Sequence, residues 1–229
     1  MDCELNIITP PVFNGFPVKG FFTTKAAGSD RNAVSKAFTL PPHNIYIPVQ
    51  KHTDKIVIVE HDLDPKIADG VITGRKGILI GVQVADCAPI LLYDARKRIA
   101  GAVHAGWRGT AAGILRNAVT VMEYRFRSSP ADILIALGPG IRRCCYEVGY
   151  EVIEAVARAT GEGDYWDEKG GKYRIDLPAA NAYQAVSSGV PPENIWTSGE
   201  CTFCLPGKYY SYRFAKGSTG RQGGFIGIV

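Results

Sequence analysis

The sequence predicts a single α+β domain, a central β-sheet system flanked by helices. Three observations lead there. Apolar runs rich in branched residues recur along the chain. Several are apolar at nearly every position, as strands covered on both faces are. Helix-period segments fall between them without the strict strand–helix alternation of a parallel α/β fold. No internal repeat, low-complexity tract or linker interrupts the 229 residues, so 1–229 reads as one domain with a full core.

The first run is 18–24 (VKGFFTT), followed by a weakly patterned helix at 31–39. Strands are then expected at 44–49 (NIYIPV), 55–60 (KIVIVE), 77–84 (GILIGVQV), 88–93 (APILLY) and 99–104 (IAGAVH). Residues 109–124 (GTAAGILRNAVTVMEY) follow as the clearest helix, with Ala112, Leu115, Val119 and Met122 on one face. After a strand at 131–137 (ADILIAL), the segment 149–160 reads as a helix stopped by Gly161. Another spans 176–188, where Asp176 can cap and Pro178 sits early. The last strand is 223–228 (GGFIGI).

Composition narrows the function. With 26 basic and 22 acidic residues the net charge is +4. That mild excess is not the footprint of a dedicated nucleic-acid binder, and it suits an anionic substrate such as phosphate. The start MDCELNIITPP is not a signal peptide, and no uncharged apolar stretch is long enough to span a membrane. The expected location is the cytoplasm. There, the six cysteines (3, 87, 144, 145, 201 and 204) are core residues, metal ligands or nucleophiles rather than disulfides.

Only four histidines occur, so their positions carry information. His52 lies in a turn between two strands, and His104 ends a strand. Cys87 breaks two apolar strands, in Ala85-Asp86-Cys87-Ala88-Pro89. A short meander from Val84 through 88–93 to His104 is expected to bring Cys87 and His104 together. Two imidazoles and a thiolate suit zinc with an open fourth position. A core cysteine and a hydrogen-bonded turn histidine are the plainer alternatives. His43 and His61 are expected at the surface. The turn His104-Ala-Gly-Trp-Arg-Gly109 leads into a helix whose free N–H groups, with Arg108, suit an anion. The alternative is a tight turn in which Arg108 only stacks on Trp107. Cys201-Thr-Phe-Cys204 has zinc-knuckle spacing, but adjacent Cys144 and Cys145 are poor partners for it. These four are expected to be core or loop cysteines without a second zinc. Gly217–Gly224 is a polar loop able to line a pocket through Arg221 and Gln222.

Together these motifs resemble the laccase-domain (YfiH-like) family, called multicopper polyphenol oxidases in older usage. The blocks that carry the likeness are Phe21-Phe-Thr-Thr24, Gln50-x-His52, Ala68-Asp-Gly70, Ala85-Asp-Cys-x-Pro-Ile90 and His104-Ala-Gly-Trp-Arg-Gly109. They continue with Leu137-Gly-Pro-x-Ile141, Cys144-Cys-Tyr-Glu-Val148, Cys201-Thr202, Tyr210-Ser-Tyr-Arg213 and Thr219-Gly-Arg-Gln222. The resemblance implies two packed sheets and zinc (Zn2+) held by His52, Cys87 and His104. It further implies phosphorolysis of adenosine, inosine, guanosine and S-methyl-5′-thioadenosine, with some adenosine deamination. Candidate substrate and phosphate contacts are Lys25, Gln50, Asp86, Trp107, Arg108 and Arg221. Lys25 stands where the family usually has Arg, Thr53 where it has Gly, and the loop at 26–30 is short. Copper oxidase chemistry needs more histidines than four.

Two other readings compete. Cys87 and His104 could serve a cysteine hydrolase or deamidase as nucleophile and base, or the chain could be a non-catalytic partner. A monomer and a dimer are equally open.

Overall fold

The long apolar runs become two large mixed sheets laid face to face. The computed structural model describes residues 7–38 and 40–229. Cys3, the N-terminal start and the final residue of the expected 31–39 helix lie outside the described residues.

In chain order the strands are β1 (Ile7–Ile8), β2 (Val18–Thr23), β3 (Ile45–Tyr46), β4 (Ile56–Ile58), β5 (Gly70–Thr73), β6 (Leu79–Val84) and β7 (Ala88–Asp94). They continue as β8 (Ile99–Ala105), β9 (Ile133–Leu137), β10 (Glu147–Val148), β11 (Trp166–Lys169), β12 (Lys172–Ile175), β13 (Ile195–Thr197) and β14 (Gln222–Ile228). The helices are α1 (Arg31–Phe38), α2 (Trp107–Ala111), α3 (Ile114–Phe126), α4 (Tyr150–Thr160) and α5 (Leu177–Ser187). One sheet has the order β1-β2-β14-β6-β3, the second β13-β9-β7-β8-β5-β4, and a small third sheet is β10-β12-β11. The pairs β3–β6, β4–β5 and β9–β13 are parallel and the others antiparallel, so both large sheets are mixed.

Alternation along each strand explains the near-continuous apolar runs. In β7, Leu91 and Tyr93 enter the core between the two sheets, against Phe22, Ile80, Val82 and Ile226. Their neighbours Ile90 and Leu92 face the opposite way, onto Ile114, Leu115, Ala118, Val119 and Met122 of α3. The five-stranded sheet is likewise covered on its outer side, where Phe21, Leu79 and Phe225 pack with Val34 of α1. Each central strand is therefore buried on both faces, which favours branched apolar residues at consecutive positions. A smaller cluster joins α4, α5 and the third sheet through Val156, Tyr165, Ile175 and Leu177.

Several elements differ from expectation. The helix foreseen at 109–124 is two helices, because Gly113 takes a left-handed conformation (φ 72°) and breaks the run after α2. Helical backbone begins at Trp107, two residues earlier than expected, with Gly106 as N-cap. The meander is also corrected. β6 lies in the five-stranded sheet whereas β7 and β8 lie in the six-stranded one. Residues 85–87 thus carry the chain from one sheet to the other, and only β7–β8 is a hairpin. β5, β13 and the third sheet were not anticipated. They are short, and WDEK and KYRI lack an apolar run. The expected stop and cap are present: Gly161 ends α4 at φ 82°, and the Asp176 carboxylate accepts from Ala179 N at 2.9 Å.

Candidate metal centre

The crossing between sheets is what presents Cys87. Asp86, just before it, has φ 84°, an uncommon conformation for a residue other than glycine. Its surroundings hold it there. The Asp86 carboxylate accepts from Thr202 Oγ1 at 2.6 Å and from Arg213 N at 2.7 Å, and its carbonyl accepts from Ile141 N at 2.8 Å. Cys87 therefore sits on a rigid bend, half-buried, immediately before the Ala88–Ala105 pair that opens the β7–β8 ladder.

His104 and His52 are organised by one carboxylate. Asp69 lies just before β5, one step beyond the Gly70–Val103 pair, and is fully buried. Its carbonyl accepts from His104 N at 2.7 Å, and its Oδ1 accepts from His104 Nδ1 at 2.8 Å. The same carboxylate gathers the turn that carries His52. It accepts from Lys51 N (3.1 Å), His52 N (2.9 Å), Thr53 N (2.6 Å) and Thr53 Oγ1 (2.8 Å). His52 itself has φ 58°, a conformation that this ring of donors stabilises. Gln50 locks the turn from its other end: its Nε2 donates to Gln83 O and its Oε1 accepts from Gln83 N, both at 2.8 Å.

The result is a compact set of ligand atoms. One atom each from His52, Cys87 and His104 lies within 4.8 Å of the other two. Cys87 Sγ is 3.9 Å from His52 Nε2, and the two imidazoles meet edge to face at 4.8 Å. With Nδ1 of His104 bound to Asp69, its Nε2 is the atom free to ligate, an arrangement typical of histidine metal ligands. Gly106 lines the set closely. A Cβ there would stand 2.9 Å from Cys87 Sγ and 3.1 Å from His52 Cδ2. The donor types, their separations and this glycine cradle fit a divalent transition metal with three protein ligands.

The electrostatics agree. Burial raises the Cys87 thiol, but the His104 charge and hydrogen bonds from both histidines overcome this and hold it at about 6. Burial alone would lower His104. The Cys87 thiolate and the Asp69 carboxylate instead raise it to about 9. Burial also opposes the Asp69 charge, yet its His104 and Thr53 bonds hold it well below the usual carboxylate range. Without metal the site is a thiolate–imidazolium pair, and a metal ion would displace the His104 proton.

This set forms the floor of a cavity of about 700 Å³. Gln50, Asp86, Trp107, Arg108 and Arg221 line it. Arg108 lies in the first turn of α2, exposed, with its guanidinium 4.3 Å from the Trp107 ring centre. Arg221 donates to the carbonyls of Thr219 and Gly220. Lys25 is not among the lining residues. Its ammonium bonds the Pro206 carbonyl and lies 5.1 Å from the Tyr210 ring centre. Sequence reasoning passed over Tyr146, Tyr212 and Arg213, which line the cavity as well. The Arg213 guanidinium lies 4.9 Å from the Tyr146 ring centre, and burial beside the Cys87 charge pushes the Tyr146 hydroxyl up to about 12. Both lie in blocks already noted for their family likeness, the one signal that could have flagged them. Asp69 was missed as a site residue for a similar reason: a single Asp before a glycine carries no local sign of five donors.

Two packed mixed sheets with a metal-capable His-Cys-His set at the floor of an arginine- and aromatic-lined cavity define the class of protein. More particularly, the chain belongs to the family described as multi-copper polyphenol oxidoreductase laccase, whose profile matches residues 23–229. It is 39% identical over 163 residues to the purine nucleoside phosphorylase YlmD of Geobacillus stearothermophilus, covering 69% of this chain and 59% of that protein. The chain thus spans well under two thirds of that relative's length. A protein named adenosine deaminase RL5, from an unknown prokaryotic organism, is 35% identical over 198 residues, 81% of this chain and 74% of its own. The crystal structure of YlmD from Geobacillus stearothermophilus superposes with a TM-score of 0.88 at 30% identity, covering 95% of this chain and 93% of that one. The crystal structure of the Bacillus licheniformis hypothetical protein YfiH gives 0.87 at 30% identity, covering 93% of each. No helix among the described residues is long and apolar enough to cross a membrane.

Proposed function

We propose that this chain is a zinc-dependent purine nucleoside phosphorylase with adenosine deamination as a second activity. Its substrates are adenosine, inosine, guanosine and S-methyl-5′-thioadenosine, with inorganic phosphate as co-substrate. The observation that carries the reading is the site itself. A His52–Cys87–His104 set lies beneath a cavity that holds three guanidinium groups (Arg108, Arg213, Arg221) and three aromatic rings (Trp107, Tyr146, Tyr212). The names of its relatives, a purine nucleoside phosphorylase and an adenosine deaminase, support it.

In phosphorolysis a phosphate oxygen bonds to the ribose C1′ while the C1′–N bond breaks. The purine leaves with the electron pair and takes up a proton. The guanidinium groups suit the phosphate, since their planar forks match its oxygens. The aromatic rings offer faces for the purine to stack on. His52, Cys87 and His104, oriented by Asp69, would hold the zinc, which would supply Lewis-acid polarisation. Asp86 and Gln50 are engaged with protein groups, so their part is to fix the cavity wall. The test is to incubate the metal-loaded protein with each nucleoside, with and without phosphate. Free base and ribose-1-phosphate should form only with phosphate, and Cys87→Ala should abolish both. Full turnover by metal-free protein would overturn the zinc reading.

One observation favours a second reading. His104 is hydrogen-bonded to Asp69 at 2.8 Å and stands beside Cys87, whose charge acts on it, which is the order of a nucleophile–base–orienting carboxylate relay. A cysteine hydrolase or deamidase built this way needs Cys87 free. Activity that rises on chelation and disappears on alkylation of Cys87 would select it.

A further inference from the structure

Four cysteines expected to be loop or core residues without a second zinc come together in the two loops that contact Asp86. One Sγ each from Cys144, Cys145, Cys201 and Cys204 lies within 4.8 Å of every other. Cys145 Sγ is 3.2 Å and Cys144 Sγ 3.6 Å from Cys204 Sγ. A tetrahedral zinc with Zn–S bonds of about 2.3 Å separates its sulfurs by roughly 3.8 Å. The two closest contacts lie a few tenths of an ångström inside that value, and all four sulfurs stay within 4.8 Å of one another. These contacts are too long for a disulfide, whose sulfurs stand about 2.05 Å apart. The turn at 143–145 turns both adjacent side chains to one point, which the sequence spacing alone argued against. Its partner loop is brought alongside by the Gly140–Cys201 bridge and by Thr202 N donating to Gly140 O at 3.1 Å. Arg142 N donates to Cys201 Sγ at 3.4 Å, a backbone contact of the kind that orients a thiolate ligand.

A packing role does not explain the cluster. Cys201 is buried, but Cys145 is only half-buried, Cys144 and Cys204 are exposed, and none of the four is a member of the packed hydrophobic clusters. Four thiols in mutual contact at a half-exposed spot satisfy one another poorly, since S–H is a weak donor and sulfur a weak acceptor. Soft thiolates in tetrahedral array select zinc.

We propose that Cys144, Cys145, Cys201 and Cys204 form a structural four-thiolate zinc site, separate from the His52–Cys87–His104 centre. Zinc binds there by displacing the thiol protons to solvent and cross-links the 140–146 and 201–204 loops. The connection from β13 to β14 is long and carries no strand, so an internal staple limits the conformations open to it. Its position gives the staple a purpose. The same connection supplies Thr202 and Arg213 N to Asp86, and Tyr212, Arg213 and Arg221 to the cavity. The 140–146 loop supplies Tyr146. The cross-link therefore braces one wall of the cavity and the bend that presents Cys87.

Protein prepared with zinc and a phosphine reductant should contain about two zincs per chain by elemental analysis. Cys87→Ala should retain about one, Cys204→Ser about one, and the double variant none. The decisive sample is Cys87→Ala, because it leaves the cluster intact and stands whether or not the cluster variants fold. Replacing its zinc with cobalt(II) should give the intense thiolate-to-metal charge-transfer bands of a four-sulfur site. Its melting temperature should fall when a strong chelator is added. The proposal is overturned if folded Cys87→Ala holds no zinc and takes up no cobalt. A Cys145–Cys204 disulfide found by peptide mapping of the unreduced protein, with no metal at the cluster, overturns it too. Neither result bears on nucleoside turnover, so the catalytic reading stands or falls separately.

Discussion

Replacing Asp69 with Asn should loosen both histidines of the candidate metal centre while leaving the fold in place. The carboxylate accepts five hydrogen bonds. Oδ1 takes His52 N and His104 Nδ1, while Oδ2 takes Lys51 N, Thr53 N and the Thr53 hydroxyl. An amide has one acceptor end, so either two or three buried donors must now face an NH2 group. The cheaper orientation sacrifices the two bonds at Oδ1, which are those that hold His52 and His104. Each hydrogen bond to a charged group is worth roughly 1.5–3 kcal/mol, so the loss is roughly 3–6 kcal/mol. At about 2–4 °C per kcal/mol for a chain of this size, melting should fall by roughly 6–24 °C. Losing the partner of a histidine ligand should also weaken metal binding by roughly tenfold to a hundredfold. Thermal unfolding of the metal-free protein, with zinc affinity measured by chelator competition, reads both effects. An Asn variant with unchanged melting and zinc affinity within about twofold of the parent would refute the role assigned to Asp69.

Four further outcomes are expected. In metal-free protein the alkylation rate of Cys87, followed by peptide mapping, should rise with a midpoint near pH 6 because His104 holds the thiol at about 6; a midpoint near about 8.5, the ordinary cysteine value, would remove the imidazolium from the picture. Asp69, held below its unfolded value of about 3.9, contributes stability that is full above that pH and is lost as pH falls through its folded value. Acid unfolding should therefore lose less stability as pH falls below about 4 in Asp69→Asn than in the parent, and parallel curves there would contradict this. Gly106→Ala places a methyl 2.9 Å from Cys87 Sγ, so it should lower zinc affinity at least as far as melting temperature; a variant that binds zinc normally would show that the cradle yields. Arg108→Ala should cut phosphorolysis by about tenfold to a hundredfold, from roughly 1.5–3 kcal/mol of charge-assisted binding, and deamination much less; equal losses would mean that Arg108 supports the whole site.

What the sequence by itself determined was local. The apolar runs marked strands buried on both faces, because the period-2 geometry of a strand exposes each face to its own layer and both layers here are apolar. Asp176 and Gly161 marked helix ends, because a short carboxylate and a glycine meet needs confined to a single turn. His52, Cys87 and His104 stood out through their rarity and their neighbours in the chain. Tertiary structure decided everything that depended on distant segments meeting. The jump of residues 85–87 between two sheets, rather than along one, aims Cys87. Asp69 commands two histidines only because the β5–β8 pairing lays it beside His104 while the 51–53 turn folds back over it. Cys144 and Cys145 meet Cys201 and Cys204 because a single bridge, Gly140 to Cys201, joins loops about sixty residues apart. A hydrogen-bond acceptor or a thiol bears no trace in its own neighbourhood of which remote group will reach it, so these sites exist only once the chain has folded.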